Sequence, residues 1–368
     1  MNRIGMIVIY DDDGIIDTYV EYLLQSLSVL LQKMVLVING SLTEPSLEIL
    51  KKYSKDIYQR ENTGFDGGAY KDAITKYLSK EDWSQWDELI LLNDTFYGPL
   101  YPWEQVFQVM DRENVDYWGL NRYSGDDRKK QDGTRVPEFI HSYFLVCRAV
   151  ILRDPAFADF WQELEYPGTW TEATEFFEIG ISEYLSKLGY RSTSYAEVVC
   201  PKYRSSDYSS ESFELIVRAK LPIVKRKALS LIYHSQAEHI MHYIDTETDY
   251  DIELIRTNMQ RWERQNGKIF SREELVRFCR LHKKIYIYGR GKYAGVITEY
   301  LKSRQIVPVQ YLVTKDCEQY ENTINFKDLI LEPLDGIVVA LGRTAFREVF
   351  PILQAENLDK SQLLLPRL

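Results

Sequence analysis

The sequence predicts an α/β protein with a doubly wound mixed sheet, a helical connector and a smaller C-terminal α/β lobe. Three observations carry this. The first 60 residues alternate short β-branched apolar runs with helically spaced segments. A glycine-rich turn follows the third of those runs. Near Lys284 a fresh apolar run begins and leads into Gly289-Arg290-Gly291. A β-α-β-α-β order favours parallel strands with crossover helices on the sheet faces. At about 150 residues per domain, a chain of 368 residues suggests two domains, or two with a connector.

The elements follow in order. Ile4 to Tyr10 is a buried strand, because its apolar run is short and rich in β-branched residues. Ile15 to Leu31 has helical spacing. Met34 to Ile38 is a second strand, closed by the turn signal Asn39-Gly40. Ser46 to Tyr53 is helical, and Asp56 to Gln59 is a third strand. Glu88 to Leu92 and Phe139 to Cys147 extend the pattern. Thr171 to Leu188 reads as a helix and Tyr195 to Val199 as a strand. Residues from about 205 to 282 are mostly helical, and Lys284 to Tyr288 opens the last lobe. The expected domains are therefore 1–205, 206–282 and 283–368.

Composition narrows the function. A net charge of −10 argues against nucleic acid as a partner of the whole molecule. The charge is uneven: residues 1–200 hold 19 basic and 33 acidic side chains, and residues 201–292 hold 18 and 12. Cys147, Cys200, Cys279 and Cys317 form no C-x-x-C pair, which disfavours zinc or thioredoxin-like chemistry. No run approaches the ~18 apolar residues of a membrane span. The expected location is cytoplasmic. Arg218, Lys220, Lys225, Arg226 and Lys227 have no acid among them. They predict a basic patch over 218–227 that seats the protein on an anionic membrane surface.

Ligands of doubly wound sheets sit at the carboxyl ends of the strands, so the residues just after strands are the candidates. Asp11 and Asn39 follow the first two. After the third comes Glu61-Asn62-Thr63-Gly64-Phe65-Asp66-Gly67-Gly68-Ala69-Tyr70-Lys71. Glycines let a backbone approach a ligand, and N–H groups at a helix start bind phosphate oxygens. The spacing is not that of a Walker A loop. After the fourth strand, Asn93-Asp94 offers a carboxylate for Mg²⁺ or Mn²⁺ against a diphosphate, or for a sugar hydroxyl. Glu178, on the Thr171 to Leu188 helix, is a general-base candidate. His141 opens a later strand. In the last lobe Gly289-x-Gly291-x-x-Ala294 follows a strand and opens a helix, with Asp316 further on. That is the setting of a dinucleotide fingerprint, and it marks a second nucleotide site or a structural lobe.

Several segments resemble the successive blocks of the rhamnan synthesis protein F family. They are Glu61 to Lys71 (ENTGFDGGAYK), Glu88 to Leu100 (ELILLNDTFYGPL), Tyr117 to Leu120 (YWGL), His141 to Val146 (HSYFLV) and Phe177 to Leu185 (FEIGISEYL). Leu221 to Ser230 (LPIVKRKALS) resembles a block that follows. The likeness covers roughly residues 1–230. It implies a GT-A-like inverting glycosyltransferase of bacterial polysaccharide assembly, with dTDP-L-rhamnose or another sugar nucleotide as donor. The implied acceptor is a lipid-linked glycan at the cytoplasmic membrane face. By the same resemblance Asp11 and Asn39 lie near the nucleoside, and Asn62, Gly64 and Asp66 line the diphosphate and sugar. Gly67, Gly68, Lys71, Asn93 and His141 complete the expected donor site. Glu178 stands as the base, and Asp94 stands where such enzymes carry a D-x-D metal motif. Asn93-Asp94-Thr95 departs from that motif, with one carboxylate instead of two. Two rival readings stay open: a UDP-hexose or other sugar-nucleotide donor, and a non-catalytic scaffold that senses a nucleotide or sugar.

Overall fold

The computed structural model describes residues 1–125, 128–201, 208–266, 270–314, 320–356 and 358–366. The chain forms two compact units. The first comprises Met1–Arg226 and Tyr243–Leu254, the second Lys227–His242 and Ile255–Leu368. Residues 206–282, read from the sequence as a connector, are thus divided between the two.

The first unit is built on seven strands: β1 (Arg3–Tyr10), β2 (Lys33–Asn39), β3 (Asp56–Arg60), β4 (Glu88–Asn93), β5 (Tyr117–Gly119), β6 (Phe144–Arg148) and β7 (Ser192–Ser194). Their order is β3-β2-β1-β4-β6-β5-β7. Strand β6 is antiparallel to both neighbours, and the other pairs are parallel. This is the doubly wound mixed sheet expected from the sequence. Strands β1, β2 and β4 are buried almost throughout, as parallel strands covered on both faces must be. Each fully buried Ile, Leu or Val in them contributes roughly 1.5–3 kcal/mol.

Register sets the position of the site. Tyr10 pairs with Asn39, Asn39 with Arg60, and Val8 with Asn93. The carboxyl ends of four strands therefore line up, and the loops that leave them share one edge. Helix α1 (Thr18–Ser28) and helix α2 (Glu44–Lys51) make the first two crossovers. Thr43 caps α2, with Pro45 inside the first turn. Helix α3 (Phe65–Asp72) starts from Gly64, whose φ of 77° is left-handed and suits glycine.

Three elements differ from the sequence reading. Phe139 to Cys147 is two strands, Phe139–Ile140 and Phe144–Arg148, and His141 lies in the turn between them. Tyr195–Val199 is a helix, because Ser194 and Glu197 form a reciprocal capping box. The Thr171 to Leu188 helix contains a π-helical stretch, Ala173–Ile179, whose wider turn includes Glu178.

A late segment closes the site edge. Val224–Lys225 pairs antiparallel with Phe96–Tyr97, just beyond β4. Leu100 N–H donates to the Pro222 carbonyl (2.6 Å) and Arg226 N–H to the Thr95 carbonyl (3.1 Å). Leu221, Ile223 and Val224 are fully buried and anchor this ribbon by apolar packing.

The second unit carries five parallel strands: β8 (Lys284–Tyr288), β9 (Gln310–Val313), β10 (Thr323–Asn325), β11 (Asp335–Val339) and β12 (Leu363–Leu364). Their order is β10-β9-β8-β11-β12. This is the expected small Rossmann-like sheet. Ile285, Ile287, Ile297 and Leu301 sit in its core.

Candidate functional site

The edge formed by the carboxyl ends of β1–β4 gathers an uncommon set of charges, with Asp94 buried and Asp66, Glu178, Lys225 and Arg226 half-buried. At the end of β4, Asn93 is buried and its side-chain amide donates to Asp66 Oδ2 at 2.6 Å. Asn93 Oδ1 accepts from Thr95 Oγ1 (2.6 Å) and Thr95 N–H (3.2 Å). The Thr95 hydroxyl in turn accepts from Lys225 Nζ. A hydrogen-bonded chain thus runs Lys225–Thr95–Asn93–Asp66. The ammonium of Lys225 also lies 4.4 Å from the centre of the Tyr143 ring.

Asp94 is buried beside this chain. Its N–H donates to the Val8 carbonyl at 3.2 Å, which fixes it to β1. Tyr19 Oη donates to the Asp94 carbonyl (3.0 Å), and Arg226 Nη2 donates to that same carbonyl and to Tyr19 Oη (2.6 Å). The nearest approach of guanidinium to carboxylate is 3.9 Å. Burial pushes the Asp94 carboxyl up to about 6, against the pull of Arg226 and with help from Asp66 and Asp11. Burial likewise raises Asp66, and its bond from Asn93 opposes this. Burial drops the Lys225 ammonium to about 8, although Glu178, Asp66 and Asp94 all favour its charged form.

Glu178 closes the group. Its Oε1 accepts from Ser142 N–H (3.0 Å) and Ser142 Oγ (3.3 Å) and lies 3.2 Å from His141 Nδ1. Burial raises this carboxyl, but His141, the Ser142 N–H and Lys225 outweigh it, and the net shift is downward. Glu178 is therefore ionised at neutral pH and held by three donors.

The glycines of the β3–α3 turn are explained largely by packing. A Cβ on Gly67 would lie 2.8 Å from the Phe177 Cβ, and one on Gly68 2.4 Å from the Thr63 carbonyl. Gly64 would meet Tyr166 at 2.8 Å. These contacts press α3 against the π-helical stretch next to Glu178. Asp66 and Glu178 are thereby brought to one crevice.

The expected site residues do not all meet. Asp66, Asn93, Asp94, His141 and Glu178 converge as described. Asp11 Oδ1 accepts from Asp13 N–H and Ile15 N–H, both at 3.0 Å, and its charge acts on Asp94 and Arg226. Asn39 and Lys71 do structural work. Asn39 bridges Arg60 (2.6 Å) and the Phe65 carbonyl (3.3 Å), tying β2 to the turn. Lys71 Nζ is spent on the carbonyls of Gln162 and Leu164, both at 2.7 Å. Asn62 is exposed in the turn. In the second unit Gly289 has φ 117° and packs on the Ala340 carbonyl, while Gly291 opens the helix Lys292–Ser303 and Ala294 is buried. Asp316 lies outside the described residues.

The expected metal does not fit. Asp94 faces Arg226 and Tyr19, Asn93 stands where a second carboxylate would be, and Lys225 brings a further positive charge. Among the described residues no three His, Cys, Asp or Glu side chains gather as metal ligands would.

Of the expected basic patch, Lys225 and Arg226 turn inward, while Arg218, Lys220 and Lys227 are exposed. Arg218 pairs with Glu214, Lys220 donates to Tyr243 Oη at 2.8 Å, and Lys225 and Arg226 turn into the crevice. These side chains do not form one free surface. Among the described residues no helix is long and apolar enough to cross a membrane.

Sequence reasoning missed Lys225, Arg226, Tyr19, Thr95 and Ser142 as site residues. The signal for the first two was the apolar Leu221 to Val224 run directly before them, a short strand in disguise.

The family model described as rhamnan synthesis protein F matches residues 34–362. The match extends beyond the blocks at 1–230 and takes in the C-terminal lobe. No curated protein matches the chain. Among solved structures, 4-diphosphocytidyl-2C-methyl-D-erythritol synthase of Anaerococcus prevotii is 14% identical, with a TM-score of 0.31 over 48% of this chain and 82% of its own. Core-mannan synthase A of Aspergillus fumigatus, in a Mn/GDP form, is 12% identical, with a TM-score of 0.27 over 50% of this chain and 69% of its own. The mannosyltransferase Ktr4p of S. cerevisiae, in complex with GDP, is 11% identical, with a TM-score of 0.29 over 49% and 66%. At such TM-scores these three likenesses say nothing about activity.

Proposed function

The chain belongs to the rhamnan synthesis protein F family, and from that premise we propose that it is an inverting glycosyltransferase that uses a sugar nucleotide. The donor we propose is dTDP-L-rhamnose, and the acceptor a hydroxyl of a growing lipid-linked polysaccharide. The observation that carries the reading is the convergence of Glu178, Asp66, Asp94, Lys225 and Arg226 at the carboxyl edge of a parallel sheet. Acid and cation groups gathered in this way, half-buried around a buried Asp94, are costly unless a function holds them there.

Glu178 serves as the base. Its Oε1 is held by Ser142 and His141, which fixes the direction in which a proton is received. Its lowered proton affinity keeps it ionised and ready at neutral pH. As the acceptor oxygen attacks the anomeric carbon, the bond to the diphosphate breaks and its electron pair stays on the leaving phosphate. The acceptor proton passes to Glu178. The sugar becomes oxocarbenium-like in between, as in glycoside hydrolysis. Asp66, fixed by Asn93, is placed to accept a hydrogen bond from a sugar hydroxyl.

The test is a panel of dTDP-L-rhamnose, UDP-glucose and GDP-mannose with the purified protein, read as nucleoside diphosphate release. Release from dTDP-L-rhamnose supports the full reading. Release from another member moves the donor and keeps the enzyme class. No binding and no release from any of them rejects the transferase reading.

A further inference from the structure

The two cations of the crevice have an unusual set of partners. Four acids lie within electrostatic reach of them, yet neither cation forms a close ion pair with any of these acids. Arg226 gives its Nη2 to a backbone carbonyl and a tyrosine hydroxyl, and stands 3.9 Å from the nearest carboxylate oxygen. Its Nε is buried with no hydrogen-bond partner. Lys225 gives its ammonium to the Thr95 hydroxyl and to the face of Tyr143. Both are bonded to neutral groups, so their charges are held in place without being closed by a carboxylate.

A buried N–H left idle on a cation, beside a second cation, suits an anion with several oxygens. The anion that a sugar-nucleotide enzyme must handle is a diphosphate, whose charge grows as the sugar leaves. We infer that Lys225 and Arg226, carried on the ribbon Val224–Lys225 with Phe96–Tyr97, form the seat of the donor's diphosphate and supply the positive charge that a divalent cation would otherwise bring. This inference rests on the transferase reading of the same crevice.

The parts serve that role in different ways. Arg226 is oriented by Tyr19 and the Asp94 carbonyl, and its planar fork can meet two phosphate oxygens. Lys225 is a point charge between Glu178 and Asp66. Burial now lowers its proton affinity, and an arriving diphosphate would restore full charge. As the bond from anomeric carbon to phosphate oxygen breaks, the electron pair that stays on the phosphate is met by these two cations. Preorganised charge of this kind lowers the barrier without moving any group at the moment of reaction.

The test is calorimetry in EDTA with dTDP, UDP and GDP, each paired with its monophosphate, on the full chain. Variants are Lys225→Met, Arg226→Met and the charge-keeping Arg226→Lys. The wild type should bind a nucleoside diphosphate in EDTA. Each Met variant should weaken that binding by about 10- to 100-fold, with a smaller loss for the monophosphate. Arg226→Lys should recover part of the loss. Arg226 also braces Asp94 and Tyr19, so where its Met variant unfolds, Lys225→Met with an unchanged melting temperature is decisive. Diphosphate binding within about twofold of wild type in that variant overturns the inference alone. Binding that appears only with added Mg²⁺ also overturns it. Wild-type protein that binds no nucleoside diphosphate in either buffer overturns the transferase reading and this inference with it.

Discussion

Two glycine-rich turns, one in each unit, follow a parallel strand and open a helix, and they are built for opposite reasons. In the first unit a side chain at Gly67 or Gly68 would collide at 2.8 and 2.4 Å, because α3 is pressed against Phe177 and the Thr63 carbonyl. In the second unit Gly291 and Gly295 meet nothing within 4 Å. The first turn is a tight joint that sets the distance between two carboxylate-bearing elements. The second is tight only at Gly289, where a Cβ would lie 2.9 Å from the Ala340 carbonyl, and it opens into a helix start with free space. A glycine pattern therefore does not by itself say whether a backbone approaches a ligand or another piece of the protein.

Three measurements bear on this contrast and on the site it positions, from the largest expected effect downward. Glu178→Gln should lower transfer by about 10²- to 10⁴-fold while nucleoside diphosphate affinity stays within about twofold. Gly291→Ala in the other turn should leave transfer unchanged. Initial rates with each variant check both, and equal rates for Glu178→Gln and wild type reject the base.

Stability against pH should show the cost of the buried Asp94. Its carboxyl is held at about 6, above the ordinary 3.8, so between these values the folded chain keeps a proton that the unfolded chain has released. Stability from this group is therefore full below pH 4 and falls as pH rises towards 6. The fall is about 3 kcal/mol at 1.36 kcal/mol per pH unit. Lys225, lowered from 10.5 to about 8, acts in a separate window: stability should rise as pH goes from about 8 to 10. Urea unfolding of wild type and Asp94→Asn across pH 4–7 checks the first window. An equal slope in both proteins would show that Asp94 is not its source.

Gly68→Ala should destabilise by about 1–3 kcal/mol, because the backbone carbonyl it would strike cannot swing aside. Gly291→Ala should change stability by less than about 0.5 kcal/mol, since its space is open. Thermal melts of the pair measure the contrast directly, and similar melting temperatures would remove it.

Much of this was legible in the sequence, for identifiable reasons. Strands β1, β2 and β4 announce themselves because buried parallel strands need unbroken apolar runs. Asp66, Asn93, Asp94 and Glu178 stood out because residues after strands, or inside a distinctive block, are few. Tyr195–Val199 was misread because its Tyr and paired Val suggest a strand. The Ser194-x-x-Glu197 cap was present in the letters and outweighs them. Lys225 and Arg226 were hidden for a deeper reason. A local window shows five basic residues and suggests a solvated face. Only the pairing with Phe96–Tyr97 turns two of them inward, and no local pattern encodes a partner that far away. Asn39 and Lys71 follow strand or loop in the expected manner, but Arg60 and the Gln162 and Leu164 carbonyls claim them first.

That distant pairing has a consequence for how the protein comes into being. The acids of the crevice are all in place by Glu178, but the cations arrive with a segment that must return across 130 residues to reach Thr95. A chain still emerging from the ribosome can lay down most of the sheet while the crevice holds only like charges that repel one another. The loop closure that brings Lys225 and Arg226 home is thus also the moment at which that repulsion is relieved. A fragment ending before Leu221 should carry Asp66, Asp94 and Glu178 without the two cations that face them in the whole chain.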